Sequence, residues 1–335
     1  MILVTGGTGL VGSHLLFNLC QQKEKVVAIY RKNSDLNAVK RVFSFYADDF
    51  ETLFDSINWI EADLTDVYSL TKAFEGITQV YHSAAMISFK ASDYKKMRKI
   101  NIGGTANIVN LCITNNIKKL CFVSSIAAVG KSSSDTEITE NGEWNIEDNN
   151  YGYAITKYGA EIEVWRGAQE GLDVIIVNPA VILGPGYWEN STGKLFTNIY
   201  NGLNLYTEGI TGFVGVTDVV NIMIQLMKSN IKNERYILVS KNDSFKNILF
   251  TIADGFGKKR PGLKITKPMS NLFWRLEWLL YKITNRTPLM TKHTAQAAHN
   301  TYFFSNNKIL EAIGYEFEPI EDTIKLTCKH YLAQK

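Results

Sequence analysis

Ile2-Leu3-Val4-Thr5-Gly6-Gly7-Thr8-Gly9-Leu10-Val11-Gly12 opens the chain and decides how its fold is read. A short apolar run breaks into glycines at three-residue spacing, Gly6, Gly9 and Gly12, and passes into a helical pattern over 10–22. The first amides of a helix have no partner within it. Together with the helix dipole they suit an anion, and a turn without side chains lets a pyrophosphate come close to the backbone. The flanking strand and helix separate this motif from an ordinary glycine-rich loop.

Working outward, apolar strand patterns at 25–30, 58–61, 79–82, 120–124 and 174–177 alternate with helical patterns. The helical patterns fall at 35–56, with a break near Tyr46, and at 67–74, 93–115 and 151–170. Repeated βα units with continuous apolar strands imply a parallel sheet covered on both faces. Right-handed crossovers then give an α/β, doubly wound (Rossmann) sheet with its ligand crevice at the carboxyl ends of the strands. After Pro179 the pattern changes: Gly, Pro, Asn and Thr are frequent through Gly212, a strand and helix return over 213–228, another strand follows at 236–239, and from Ser244 the chain is mostly helical. The expected division is a dinucleotide-binding domain of residues 1–178 plus 213–240, and a smaller, mostly helical C-terminal substrate lobe of residues 179–212 and 241–335.

The 335 residues allow two domains, or one large unit with an appendage. Hydrophobic residues at 45% and charged ones at 21% suit a globular chain with a full core. The net charge of +3 gives no argument for nucleic acid or an anionic membrane as partner. Cys20, Cys112, Cys121 and Cys328 are scattered through apolar stretches with no C-x-x-C pair, which predicts reduced core thiols, and no histidine spacing suggests a metal. Met1 leads directly into the first strand, and no run of about 18 apolar residues occurs. No leader, no spanning segment and a cytoplasmic location are therefore expected.

Tyr153-Ala-Ile-Thr-Lys157 places a phenol and an ammonium on one helix face, one turn apart. A phenol is a weak acid, with a reference pKa near 10; a cation beside it favours the phenolate. Tyr151 cannot replace Tyr153, because its i+4 partner is Ile155.

The glycine spacing resembles the extended branch of the short-chain dehydrogenase/reductase superfamily, with its TGxxGxxG pattern, over most of residues 1–230. That resemblance implies hydride exchange with a nicotinamide, with Tyr153 as general acid or base and Lys157 serving both the tyrosine and the cofactor ribose. It implies that Ser125, with Ser124 as fallback, bonds the substrate oxygen. It gives Asn101, in Asn101-Ile-Gly-Gly-Thr105, an auxiliary catalytic role, such as holding a water near Lys157. Gly6, Thr8, Gly9, Leu10, Val11 and Gly12 would hold the pyrophosphate. Asp63 and Leu64 would meet the adenine, and Ser83, Ala84 and Ala85 would lie beneath the cofactor, with Pro179 also assigned to it. His82 is read as structural rather than catalytic.

In NAD-preferring relatives an acid ends the second strand. Here Tyr30 stands in that place, followed by Arg31 and Lys32, which favours NADP(H) through a 2′-phosphate. NAD(H) stays open, since both cations could be solvated loop charges and a loop could bring Asp35 back.

Asn178-Pro179 through Gly184-Pro185-Gly186 resembles the family's R-P-x-x-x-x-G-P-G, with Asn178 for Arg, and Phe213 to Val219 resembles F-x-H-V-x-D-V. Three departures point away from sugar nucleotides. The R-Y-F-N sequence is missing, Thr211 and Gly212 stand where an arginine would precede Phe213, and Ile126 and Ala127 replace an acidic pair. Pro288 to Thr291, Tyr302 to Lys308, Leu310 and Gly314 resemble dihydroflavonol-4-reductase-like and 3β-hydroxysteroid-dehydrogenase-like proteins, which implies a small, fairly apolar substrate. Nucleotide-sugar epimerase or dehydratase and a catalytically silent NADP(H)-sensing protein are the alternatives. The resemblance also implies a homodimer through the helices at 93–115 and 151–170. In the segment 272–281, Leu272, Leu276, Leu279 and Leu280 make one face and Trp274, Trp278 and Tyr281 another. That segment demands cover: packing on the lobe, a lid or dimer contact, or a membrane surface.

Overall fold

A computed structural model describes residues 1–130, 137–145, 150–189, 192–284 and 292–335. The first half alternates strand and helix: β1 (Ile2–Thr5), α1 (Leu10–Gln21), β2 (Val26–Tyr30), α2 (Leu36–Phe43), α3 (Phe50–Asp55), β3 (Asn58–Glu61), α4 (Val67–Ala73) and β4 (Gln79–His82). A helix in three parts follows: α5 (Tyr94–Met97), a π-helical turn (Arg98–Gly103) and α6 (Gly104–Thr114). Then come β5 (Lys119–Val123), α7 (Gly152–Gln169) and β6 (Asp173–Pro179). Next are β7 (Val181–Leu183), α8 (Gly193–Tyr200), β8 (Leu205–Tyr206), β9 (Ile210–Gly215), α9 (Val216–Lys228) and β10 (Glu234–Leu238). The chain continues through β11 (Lys241–Ser244), α10 (Phe245–Gly255), β12 (Leu263–Lys264), α11 (Lys267–Thr284), α12 (Lys292–Ala297), α13 (Asn307–Ile313) and α14 (Ile320–Ala333).

Seven parallel strands form the main sheet in the order β10-β6-β5-β4-β1-β2-β3. The order reverses at β1, which pairs with β2 on one side and β4 on the other. A crevice opens at such a reversal, beyond the carboxyl ends of the strands. There Thr5, His82 and Val123 end their strands. Every residue of β1 and β5 is buried, as a sheet covered on both faces requires. One core packs α1 and α9 against the sheet through Leu15, Leu16, Val219 and Met223. The opposite core sets Leu70, Ile108 and Val164 against Leu3, Val80 and Ile176.

Local chemistry explains several boundaries. The expected break near Tyr46 separates α2 from α3. Asp35 and Asp66 cap α2 and α4 with their carboxylates, and Gly314 ends α13 at φ +61°. All four cysteines are buried free thiols.

The third core joins Phe196, Phe213, Ile252, Phe256, Ile324 and Tyr331. It lies beside a three-stranded sheet, β11-β9-β7, while β12 pairs with β8. The strand expected from Phe213 thus runs in this small sheet, and the main sheet gains β10 at its edge. The similarity read at Pro288 to Thr291 falls outside the described residues, as do the side chains of Leu279, Leu280 and Tyr281.

Candidate active site

The glycine turn has no room to spare. Gly6 adopts φ +72°, and a Cβ there would sit 2.6 Å from the Ala84 amide nitrogen. A Cβ on Gly12 would lie 2.1 Å from the Gly6 carbonyl oxygen. The turn therefore folds directly onto the Ser83–Ala84 backbone. Gly9 precedes α1 and brings no side-chain cap to its first amides. Thr8, Leu10 and Val11 are half-buried around it.

A chain of hydroxyls and one imidazole extends from this turn. The Thr105 hydroxyl donates to the Asn101 carbonyl at 2.6 Å, so its remaining contact, to His82 Nε2 at 2.9 Å, has the ring nitrogen as donor. His82 Nδ1 then accepts from the Thr5 hydroxyl at 2.6 Å, and Thr5 Oγ1 accepts from the Ala84 amide at 3.3 Å. Burial, helped by the Lys157 charge, pushes the imidazole down to about 3. Both nitrogens of this neutral ring are committed, which leaves His82 a tie between β1, β4 and α6. The Ser83 hydroxyl donates to the Thr5 carbonyl at 2.7 Å.

Where β2 ends, Arg31 and Lys32 are exposed. Asp35 is engaged elsewhere: it accepts from the Ala38 amide at 3.1 Å and pairs with Arg41 at 3.1 Å. The Asp63 carboxylate accepts from the Thr65 amide at 2.8 Å and the Thr65 hydroxyl at 2.7 Å. Burial raises that carboxyl, but the two Thr65 bonds and the charges of Arg31 and Lys99 bring it below its ordinary value. Leu64 is buried against Gly104, where a Cβ would meet its Cβ at 2.8 Å.

Tyr153 sits in the first turn of α7, and Ser125 lies just past β5. The Ser125 hydroxyl accepts from the Ala127 amide at 3.1 Å, capping a short 3₁₀ turn. Lys157 is buried, donates to the Val123 carbonyl at 2.7 Å, and lies 4.6 Å from the Phe122 ring centre. Burial pushes the Tyr153 phenol up to about 12, with Ser125 opposing. It pushes the ammonium down to about 8, with Glu161 opposing. Desolvation thus outweighs the lowering of the tyrosine expected from its lysine.

The Asn101 side chain is engaged with the protein itself. Its amide donates to the Met86 carbonyl at 2.9 Å and the Thr156 hydroxyl at 3.0 Å, while its carbonyl accepts from the Met86 amide at 2.7 Å. Both amide hydrogens are thereby used. Asn101 fastens the 84–86 segment to α7, from within a π-helical turn of the kind frequent at functional sites.

A model of the NAD dependent epimerase/dehydratase family fits residues 2–238. The chain belongs to the NAD-dependent epimerase/dehydratase family. This family member is 30% identical over 267 residues to sterol demethylase protein B of Methylococcus capsulatus, covering 78% of this chain and 76% of that protein. It is 29% identical over 268 residues to anthocyanidin reductase of Arabidopsis thaliana, covering 73% and 77%. Among solved structures, gox2253 superimposes with a TM-score of 0.83 at 25% identity, covering 100% of this chain and 98% of that one.

Behind the tyrosine this epimerase/dehydratase family member carries a buried polar group that the motifs did not reveal. Glu161, one turn beyond Lys157 on α7, is 1% exposed. Its carboxylate accepts from Asn178 Nδ2 at 2.5 Å and pairs with Arg235 at 3.4 Å. Asn178 also donates to the Ser125 carbonyl at 3.0 Å. Arg235 Nε donates to the Glu140 carbonyl at 2.9 Å, and the Glu140 carboxylate accepts from the Ile237 amide at 2.8 Å. Burial raises the Glu161 carboxyl against the pull of Ser124, Asn178, Arg235 and Lys157. The only signal available was Lys157 and Glu161 at i, i+4; the partners Arg235 and Glu140 come from remote strand and loop positions. Among the described residues no three or more His, Cys, Asp or Glu group as for a metal.

Proposed function

We propose that this family member reduces a carbonyl, or oxidises the matching secondary alcohol, on a small and fairly apolar substrate, with NADP(H) favoured over NAD(H). The observation that carries the reading is the buried Lys157, one turn beyond Tyr153 on α7, donating to the Val123 carbonyl where β5 ends, at the sheet edge where the glycine turn lies. The turn fits a dinucleotide, because Gly6 and Gly12 leave bare backbone where side chains would obstruct a pyrophosphate. Gly6, Thr8, Gly9, Leu10, Val11 and Gly12 would hold the pyrophosphate, Asp63 and Leu64 the adenine side, Ser83, Ala84, Ala85, Lys157 and Pro179 the rest. When bound, the nicotinamide supplies or accepts the hydride.

The protein's own residues manage the oxygen and its proton. Ser125 donates a hydrogen bond to the substrate oxygen. Tyr153 gives that oxygen a proton during reduction and takes it back during oxidation, a role worth about 10²–10⁴ in rate. Lys157, held by the Val123 carbonyl, supplies the positive charge that favours phenolate. Asn101 and Glu161 position the tyrosine and the lysine. The rings of Tyr153, Tyr151 and Phe89 stack in series, with centres 6.1 and 5.7 Å apart, which supports an apolar substrate. Residues 179–212 and 241–335 are assigned to the substrate lobe, and a homodimer through α6 and α7 belongs to the same proposal.

The test is NADPH-dependent turnover of a panel of ring ketones, together with calorimetric binding of NADPH and NADH. Arg31→Asp should weaken NADPH about ten- to a hundredfold and leave NADH untouched, as loss of a charge-assisted phosphate contact requires. Equal binding of both cofactors to the unaltered protein refutes the NADP(H) preference. The family name also covers epimerases, which favours one other reading. Retained NAD with activity on a nucleotide sugar would establish it. Against it, Thr211 and Gly212 stand where the arginine would precede Phe213, and a Cβ on Gly212 would crowd Val239 at 2.8 Å.

A further inference from the structure

Helix α11 wears its amphipathicity inside out. Ser270 is 1% exposed and meets His299 Nε2 at 2.7 Å, with Trp274 half-buried on the same side. Met269, Leu272, Phe273 and Leu276 face solvent instead, at 52%, 60%, 37% and 50% exposure. Their spacing is i, i+3, i+4, i+7, which places them within about 100° of one another around the helix. A core-facing stripe of this spacing is ordinary, and a solvent-facing one marks an interaction surface.

The charge around this stripe says what covers it. Residues 258–292 hold nine lysines and arginines and one acid, Glu277, a net +8 in a chain whose total is +3. The other 300 residues therefore carry −5, and the small total conceals a strong asymmetry. Lys259 and Lys267 are exposed in the chain that leads into and opens α11, and Arg275 is exposed on the helix itself. Arg260 and Lys264 pair with Asp254 and Glu208, but both pairs lie at the surface. Leu263, next to Lys264 on β12, is 57% exposed as well. No helix among the described residues is long and apolar enough to cross a membrane.

We infer that α11 docks this protein on the surface of an anionic bilayer, with Met269, Leu272, Phe273 and Leu276 in the acyl boundary and the surrounding cations at the headgroups. An apolar stripe bordered by lysine and arginine is the pattern that lies in a membrane interface. A neutral apolar partner would not explain the charge, and an acidic partner alone would not explain the stripe. This inference is independent of the proposed chemistry, because docking requires no turnover.

The experiment is flotation of the full-length protein with vesicles of phosphatidylcholine, with and without about one third phosphatidylglycerol. Binding to the anionic vesicles should exceed binding to the neutral ones by about tenfold or more, and should fall as salt rises from about 0.1 M to about 0.5 M. Leu272→Glu with Leu276→Glu should weaken it about a hundredfold. Lys267→Glu with Arg275→Glu should remove most of the preference for anionic lipid. All four positions are exposed, so circular dichroism and thermal unfolding should match the parent and exclude misfolding. No binding to anionic vesicles, or full binding by the leucine double variant, overturns the inference. So does a dimer that light scattering finds in the parent and not in the leucine double variant, since a second copy would then be what covers the face.

Discussion

The crevice at the sheet edge and the surface of α11 treat the same residue types in opposite ways. At the crevice, buried polar groups engage one another: His82 uses both ring nitrogens, Asn101 both amide hydrogens, and Glu161 faces Asn178 and Arg235. On α11, Ser270 is buried while Met269, Leu272, Phe273 and Leu276 meet solvent. Buried polar groups are costly unless satisfied, so a network of this kind holds one geometry. Exposed apolar groups contribute little to a lone chain's stability and are available to another surface. The crevice is built for precision, and the helix for association.

The largest expected effect tests whether the crevice is chemical. Tyr153→Phe should lower kcat by about 10²–10⁴ and leave NADPH affinity nearly unchanged. Turnover equal to the parent's would reduce the network to a scaffold around a binding site.

Next comes a direct contrast of the two regions by stability. Leu16→Ala, at 0% exposure on α1, should destabilise by about 3–5 kcal/mol, and Leu272→Ala on α11 by less than about 0.5 kcal/mol. Similar losses by urea unfolding would show that α11 is covered in the monomer and would end the contrast.

The buried imidazoles set the acid side. Burial and Lys157 hold His82 at about 3; burial holds His14 at about 4, against its bond to the Pro185 carbonyl. An unfolded histidine titrates near 6.5. Below that value the unfolded chain takes up protons that the native one refuses until its own lower values are reached, so stability falls as pH falls through this window. The loss should amount to a few kcal/mol, on the order of 1.4 kcal/mol per pH unit for each group. His82→Gln should flatten the slope, and an unchanged slope would place the acid sensitivity elsewhere.

The smallest effect belongs to Glu161. Its charge raises the Lys157 ammonium against burial. Glu161→Gln keeps the shape and removes the charge, so the ammonium should lose its proton at lower pH. The alkaline limb of kcat/KM should move down by about one unit, with KM for NADPH little changed. A limb that stays in place, with stability alone reduced, would make Glu161 structural only.

Much of this was legible before the fold was known. The glycine turn, the alternating strands and helices, the Tyr153–Lys157 pair and Ser125 all lie in continuous stretches, where a local pattern carries the information. The break near Tyr46 was legible for the same reason. Asp35 was left open as a ribose ligand, and only its contacts with Ala38 and Arg41 show it engaged in capping. The strands β7 and β11 carried no usable pattern, since three or four residues are too few to show an alternation.

The sequence by itself determined the βα repeat, the bare turn at its switch point and the pairing of phenol with ammonium, because each depends on neighbours within one or two turns of chain. Only the tertiary structure decided where burial falls. Burial made His82 a neutral tie, committed both amide hydrogens of Asn101, joined Glu161 to Arg235 and Asn178, and left Leu272 and Leu276 outside. Each of those outcomes rests on residues brought together from distant segments, and desolvation depends on everything around a group in space, whatever its place along the chain.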